Sequence, residues 1–334
     1  MAEPMVLMFD TIQSELDRFD GVLADLLAAH RMILPHDGAT AGFDPFDHIL
    51  RSRGKRLRPA LVLLASRVAE ANTAHALEVA CAVELIHTAT LIHDDVIDEA
   101  EERRGIPSVH VTYGVPAAIV TGDYYLMEAF AILAHHLTSD CVSSAARTVS
   151  RICQAQQLQE HHLHDIDLPE EMYLTIIEGK TASLLALACG LGSSLVPHAP
   201  YRAELEAYGT AVGMAFQMID DLLDYIGTPE ELGKPSGSDI HSGVITLPLI
   251  EALRDPDESV SRPLSELLRT GRPLRADEAE RIISIVGSSW AVERVRSRVR
   301  ELSNRAVRAL DPLPDSAVKR ALLELPTSLR ERTM

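Results

Sequence analysis

The chain has 334 residues, 46% hydrophobic and only 4% aromatic, with 31 Lys and Arg against 49 Asp and Glu. A formal net charge of −18 argues against a nucleic-acid partner, which requires surplus cations to displace phosphate counterions. The four cysteines (Cys81, Cys141, Cys153, Cys189) have neither metal-ligand nor disulfide-framework spacing, so a reduced, cytoplasmic setting is the plain expectation.

Apolar residues recur at helical period along most of the chain, and strand-like alternation is scarce. The expectation is an all-α bundle forming a single domain over 1–334, with 1–44 as an N-terminal helix and connector. No basic region precedes the short apolar run in Met1–Asp10, and no stretch reads as long enough to span a bilayer, so no membrane anchor is expected. Residues 5–30 read as an amphipathic helix with Leu16, Phe19, Val22, Leu23, Leu26 and Leu27 on one side, covering a bundle or a subunit interface. Segment 34–45 is a connector.

Arg51 to Pro59 is a basic loop that runs into an apolar helix from Leu61 to Val68. Lys55 and Arg58 lie three apart, so on a first helical turn both can face one anion, and the helix N-terminus adds N–H donors. A solvated basic loop is the bland alternative; in so acidic a chain a phosphate site is preferred.

The next helix ends in Asp94-Asp95-Val96-Ile97-Asp98. Asp94 and Asp98 share a face about one turn apart, with Asp95 beside them. Acids at a helix C-terminus oppose its dipole, and two carboxylates at about 4 Å repel by roughly 4 kcal/mol without a counter-ion. A hard divalent cation removes that penalty, and Mg²⁺ favours one or two carboxylates completed by phosphate oxygens. One such cluster is commonly just a solvated face. A second copy, Asp220-Asp221-Leu222-Leu223-Asp224, on another apolar helix makes a two-sided metal–diphosphate reading the better one.

Arg103 and Arg104 place two guanidiniums after the first cluster, suited to bidentate phosphate binding. His87 lies seven residues before Asp94 on nearly the same face and is positioned to donate to a second diphosphate. Helices follow over 117–137 and 141–164; His161, His162 and His164 read as a polar helix end rather than a metal site, and His93 receives the same reading. Gly179-Lys180-Thr181 opens or interrupts a further helix; it is not a Walker loop, because Leu174 stands where that pattern needs glycine. The Gly- and Pro-containing loop 227–243 reads as a flexible cover, and 247–330 as packing helices broken by Pro263, Pro273 and Pro312.

Taken in order, Gly54-Lys-Arg-Leu-Arg-Pro59, Asp94 to Asp98 with Arg103-Arg104-Gly105, Gly179-Lys180-Thr181, Phe216-Gln217, Asp220 to Asp224 and Gly233-Lys234-Pro235 resemble the trans-isoprenyl diphosphate synthases of the polyprenyl synthetase family, from about residue 45 onward. The resemblance implies helices around a deep central cavity, usually a homodimer, and head-to-tail joining of an allylic diphosphate to isopentenyl diphosphate. It implies that Asp94, Asp98 and Asp220 bind a cluster of three Mg²⁺ ions, supported by Asp95, Asp221 and Asp224. Arg103, Lys180 and Lys234 would grip the allylic diphosphate; Lys55, Arg58, His87 and Arg104 would hold isopentenyl diphosphate; Thr181 and Gln217 would line the reacting carbons. Three positions depart from the pattern: Val244 follows Gly243 where many members have Lys, Gln156 replaces an expected Glu with Gln159 one turn later, and Arg53-Gly54 replaces a double glycine.

Product length is read from the helix before Asp94. Ala89 and Thr90 occupy positions where short-chain relatives carry aromatics; with Ile86, Ala89 shares a side along which a growing tail can pass. Tyr125, Met127 and Phe130 are candidates for the floor beyond. The expected product is hexaprenyl to octaprenyl, with geranylgeranyl as the alternative. Transient membrane contact would unload it. A class I terpene cyclase and a non-catalytic subunit of a heteromeric synthase are the rival readings; the Lys55–Arg58 site argues against the first and the intact aspartates against the second.

Overall fold

The computed structural model describes residues 6–30, 45–48, 54–228, 237–269 and 274–331. Among them the only strands are a two-residue pair, and everything else regular is helical. The chain groups into two compact units, one comprising Met8–Ala146 with Leu187–Arg202 and the other Met1–Leu7 and Arg147–Ala186 with Ala203–Met334.

The first unit takes in α1 (Val6–Thr11) from Met8 onward and then α2 (Gln13–His30), so the single N-terminal helix expected is broken at Ile12. Phe19, Leu23 and Leu27 are buried on one face of α2 as expected, joined by Met8 and Ile12. After α3 (Pro45–His48) come α4 (Leu57–Val68) and α5 (Thr73–Ile97), each with a continuous buried apolar run, Ala60–Ala65 and Val79–Val83. Asn72 caps α5 by accepting a hydrogen bond from the Ala74 amide at 2.8 Å. Strands β1 (Glu102–Arg103) and β2 (Ile106–Pro107) form a hairpin, followed by α6 (Val109–Tyr113), α7 (Val115–His136) and the start of α8 (Ser139–His161). Helix α5 is the centre of this unit, packed by α2, α4 and α7.

The second unit contains α9 (Glu170–Ile177), a π-helical turn at Glu178–Ala182, and α10 (Ser183–Ser193), which carries on into the first. Its long helix α11 (Arg202–Ile226) leads to α12 (Ser238–Ser242) and α13 (Leu247–Leu253). Four amphipathic helices complete it: α14 (Glu258–Arg269), α15 (Ala276–Ser288), α16 (Ala291–Ala309) and α17 (Ala317–Glu331). Pro263 does not break a helix; it lies inside α14, while Pro312 does fall between α16 and α17. Pro273 lies outside the described residues.

The expectation that no segment is long enough to span a bilayer is overturned. Thr73–Ile97, Val115–His136 and Glu170–Ser193 qualify by length and composition. For Thr73–Ile97 and Glu170–Ser193 the reason is burial, 72% and 67% of the apolar window being covered by protein; for Val115–His136 the figure is 39%.

Candidate functional site

In the first unit, α5 delivers Asp94 and Asp95 in its last turn and ends on Asp98, whose amide donates to the Asp94 carbonyl at 2.8 Å. Asp94 is half-buried, Asp98 exposed and Asp95 only 1% exposed. Arg103 Nε donates to Asp95 Oδ1 at 2.7 Å, and Nη2 donates to the same oxygen. Asp95 Oδ2 is buried with no hydrogen-bond partner in the protein. A buried carboxylate oxygen in that condition is costly unless a ligand or cation meets it.

The hairpin that carries Arg103 was not anticipated. Its turn is Arg104-Gly105, with φ of 53° and 79°, the left-handed pair that fits a two-residue hairpin. The turn places the Arg104 guanidinium against Gly54, where a Cβ would come within 2.6 Å of Nη1. Glycine there leaves room for that guanidinium; Arg53 lies outside the described residues.

Three of the four residues expected to hold isopentenyl diphosphate lie in one basic neighbourhood. Arg58 Nη1 and His87 Nε2 are 3.0 Å apart, and Arg58 Nε is buried without a partner. Burial pushes Arg58 down to about 10, opposed by Glu84 and reinforced by Arg104. Burial, and then the charges of Arg58, Arg104, Arg103 and Arg56, holds His87 well below its usual range. It is therefore a neutral imidazole at physiological pH, accepting from Arg58 and free to donate through its other nitrogen. Arg104 is likewise depressed, by burial first. Lys55 is exposed at the entrance to α4. His93, read as bland, lies over Gly122 with Nε2 3.2 Å from the Ile119 carbonyl, fastening α5 to α7.

In the second unit, Gly179-Lys180-Thr181 interrupts a helix without ending it. The three residues lie within the π turn Glu178–Ala182, a deviation that is common at functional sites. Helix α11 passes close by, since a Cβ on Gly213 would sit 2.5 Å from Ala182 Cα. One turn further along α11, Thr181 Oγ1 donates to Gln217 Oε1 at 2.7 Å, and Gln217 Nε2 donates to Asp221 Oδ1 at 2.8 Å. Tyr173 completes the chain, its hydroxyl donating to Asp221 Oδ2 at 2.6 Å. No motif marks Tyr173 in the sequence. Lys180 Nζ contacts Gln159 Oε1 at 3.4 Å, and Gln156 is buried with Oε1 unpartnered.

The second aspartate cluster divides by environment. Asp220 is exposed, Asp221 buried and Asp224 0% exposed. Asp224 accepts from the Ser238 amide and hydroxyl and from the Asp239 amide, at 3.3, 3.0 and 3.0 Å, and so organises the start of α12. Val244, where a cation was expected, is half-buried and its amide donates to the Asp239 carbonyl at 2.8 Å. Lys234 lies outside the described residues. Among the histidines at the end of α8, His162 Nδ1 is 2.8 Å from Asp165 Oδ2.

Burial and the neighbouring charge of Asp239 raise Asp221 to about 8. Between the ordinary carboxyl value of 3.8 and that figure, the folded protein retains a proton that the unfolded chain has lost. Stability of the metal-free protein should therefore fall as pH rises through this window, by roughly 1–4 kcal/mol. Urea midpoints at pH 5 and pH 8 check it, and Asp221→Asn should flatten the difference.

Among the described residues, no three His, Cys, Asp or Glu side chains converge on a single point. A donor set of separate carboxylates, with Asp95 Oδ2 orphaned, fits a hard cation that takes one or two protein oxygens and completes its shell from water and phosphate.

A family model described as Polyprenyl synthetase matches residues 42–286. The all-trans-nonaprenyl-diphosphate synthase (geranyl-diphosphate specific) of Rhodobacter capsulatus is 36% identical over 83% of this chain and 85% of its own. A short chain isoprenyl diphosphate synthase of Methanothermobacter thermautotrophicus is also 36% identical, over 86% of this chain and 89% of its own. The crystal structure of a polyprenyl synthase from Caulobacter crescentus CB15, complexed with calcium and isoprenyl diphosphate, superposes with a TM-score of 0.85 at 29% identity, covering 99% of both chains.

Proposed function

The chain belongs to the polyprenyl synthetase family and is a prenyltransferase of the trans-isoprenyl diphosphate synthase kind, and from that premise we propose a Mg²⁺-dependent synthase of all-trans hexaprenyl to octaprenyl diphosphate. The observation that carries the reading is Arg58, a part-buried side chain whose Nε is buried and unpartnered, beside a His87 that burial, reinforced by the neighbouring arginines, keeps neutral. Such a pocket gains most from a polyanion.

Isopentenyl diphosphate docks on Lys55, Arg58, His87 and Arg104. The allylic diphosphate is gripped by Arg103, Lys180 and Lys234, with three Mg²⁺ carried by Asp94, Asp98 and Asp220. Bound there, Mg²⁺ would supply Lewis-acid stabilisation of the departing diphosphate. The allylic C1–O bond breaks, and the cationic carbon meets the oxygen-rich pair Thr181 and Gln217, whose orientation is fixed through Asp221 and Tyr173. The terminal alkene carbon of isopentenyl diphosphate (C4) bonds to that carbon, leaving a tertiary cation at C3; loss of a C2 proton to the departed diphosphate then forms the new C2–C3 double bond. No protein base is needed. The family match, residues 42–286, runs through parts of both compact units, which supports reading them as one catalytic domain.

Wholly buried Ala89 and Ile86 and half-buried Thr90, without an aromatic among them, support a long product, as does the likeness to a nonaprenyl synthase. Equal identity to a short-chain synthase favours geranylgeranyl as the second reading. Met127 is 60% exposed, so it cannot be a floor residue within this chain, whereas Tyr125 is fully buried. A homodimer is supported by the exposed apolar row Val115, Ile119, Val120 and Met127 on α7, and cytoplasmic residence by four free cysteines.

Incubation with Mg²⁺, isopentenyl diphosphate and farnesyl diphosphate, followed by mass spectrometry, should give a ladder ending at hexaprenyl to octaprenyl. Termination at geranylgeranyl selects the second reading, and failure to extend any allylic starter overturns the synthase. Gly54→Ala should raise the KM for isopentenyl diphosphate about tenfold, roughly 1.4 kcal/mol, by displacing Arg104. Because only the mobile end of a side chain must shift, the thermal midpoint should stay within a few degrees; steady-state kinetics and calorimetry check both.

A further inference from the structure

Arg56 stands between Lys55 and Arg58, yet its guanidinium is engaged elsewhere in the protein. Nη1 donates to Glu84 at 2.7 Å and Nη2 to Asp20 at 2.8 Å, while Cζ lies 5.0 Å from the Phe19 ring centroid. Its side chain is 16% exposed and that of Glu84 4%, so the inner pair is shielded from water and salt. Asp20 and Phe19 belong to α2, so a single side chain joins the N-terminal helix, the 54–58 turn and α5.

The backbone shows the same commitment. Arg56 has φ 52° and ψ 27° as the residue preceding α4, a left-handed conformation that arginine adopts at a cost glycine would avoid. The Arg56 carbonyl accepts from the Ala60 amide at 3.0 Å, so this same residue starts the helix that presents Arg58. On α5, Glu84 and His87 are three apart and share a face. Arg56–Glu84 and Arg58–His87 are thus neighbouring rungs between the same two segments, one engaged with protein alone and the other bearing an open Nε. Glu84 is also the anion that favours the charged forms of Arg58 and Arg104 against burial.

We propose that Arg56, clamped by Glu84 and by Asp20 of α2, is the positioning residue for the isopentenyl diphosphate site and makes the N-terminal helix part of it. The inference rests on the assignment of Lys55, Arg58, His87 and Arg104 to that substrate. Arg56 touches no substrate; it sets the turn from which Lys55 and Arg58 project.

Steady-state kinetics with each substrate varied separately test the idea. Arg56→Gln should raise the KM for isopentenyl diphosphate about tenfold and Asp20→Asn two- to fivefold. In both, kcat and the KM for the allylic diphosphate should stay within twofold. Arg56→Lys, which can keep one arm, should recover part of the loss. An unchanged isopentenyl KM in folded variants, or equal movement of both KM values as in general loosening, overturns the proposal. If Arg56→Gln does not fold, Asp20→Asn decides alone, because Asp20 is half-exposed and its loss leaves the inner pair intact. Arg58→Gln is the control. If it raises the isopentenyl KM a hundredfold while the Arg56 and Asp20 variants do nothing, positioning fails and the substrate assignment stands. If Arg58→Gln itself leaves that KM unchanged, the assignment is wrong and this inference falls with it.

Discussion

Asp94→Asn should lower elongation by at least three orders of magnitude without lowering the thermal midpoint of the metal-free protein. The two halves of this expectation come from one placement. Asp94 lies in the last turn of α5, at the negative end of a long helix dipole, with Asp95 and Asp98 nearby. Removing one of three like charges there relieves repulsion by about 0.3–1 kcal/mol, enough to offset the loss of ordinary local contacts. In the proposed reaction the same charge would help hold the cations that receive the leaving diphosphate, and a thousandfold loss corresponds to about 4 kcal/mol of transition-state stabilisation. A residue kept for structure would behave oppositely, losing stability first. The measurement is kcat with both substrates saturating, beside calorimetry in EDTA. Activity within tenfold of the parent would remove Asp94 from the catalytic centre.

That tension between local cost and placement is why the aspartate clusters were legible in the sequence. Carboxylates at the wrong end of an apolar helix, twice over, are locally unfavourable and call for a ligand. The helical architecture was equally open to reading, because burial on long helices leaves a plain 3.6-residue period. What stayed hidden depended on backbone conformation and on partners distant in sequence. Arg103 and Arg104 read as a pair of phosphate-binding cations, whereas the left-handed φ at Arg104 and Gly105 makes a hairpin turn that directs Arg103 to Asp95. Asp224 shares its spacing with Asp98 but accepts three donors from 238–239, so identical motif positions carry different work. Tyr173 lies 48 residues from Asp221, and only the crossing of α11 over the π turn brings them together. The bilayer-length reading failed because long apolar helices buried in protein and helices buried in lipid share a composition.

Thr90→Phe should shorten the product to geranylgeranyl or below while leaving the first condensation intact. Thr90 precedes Asp94 by one turn and is half-buried; its hydroxyl donates to the His87 carbonyl at 2.8 Å, a bond within its own helix. Little packing is therefore lost when it is replaced, and the added ring projects about 5–6 Å along α5 from the acidic end. Ala89→Phe separates two meanings of a buried alanine. Ala89 is 0% exposed, so if it packs against protein the ring overfills that space, the thermal midpoint drops by the equivalent of about 1–3 kcal/mol and product length is unchanged. If it borders the tail's path, length falls and stability holds. Ile86 shares a side with both, and Ile86→Ala should add at least one isoprene unit by opening the next turn. Mass spectrometry of products from farnesyl diphosphate reads all three. An unaltered ladder from a folded Thr90→Phe would mean that the tail does not run along α5, and the limit on length would then have to be sought around buried Tyr125 on α7.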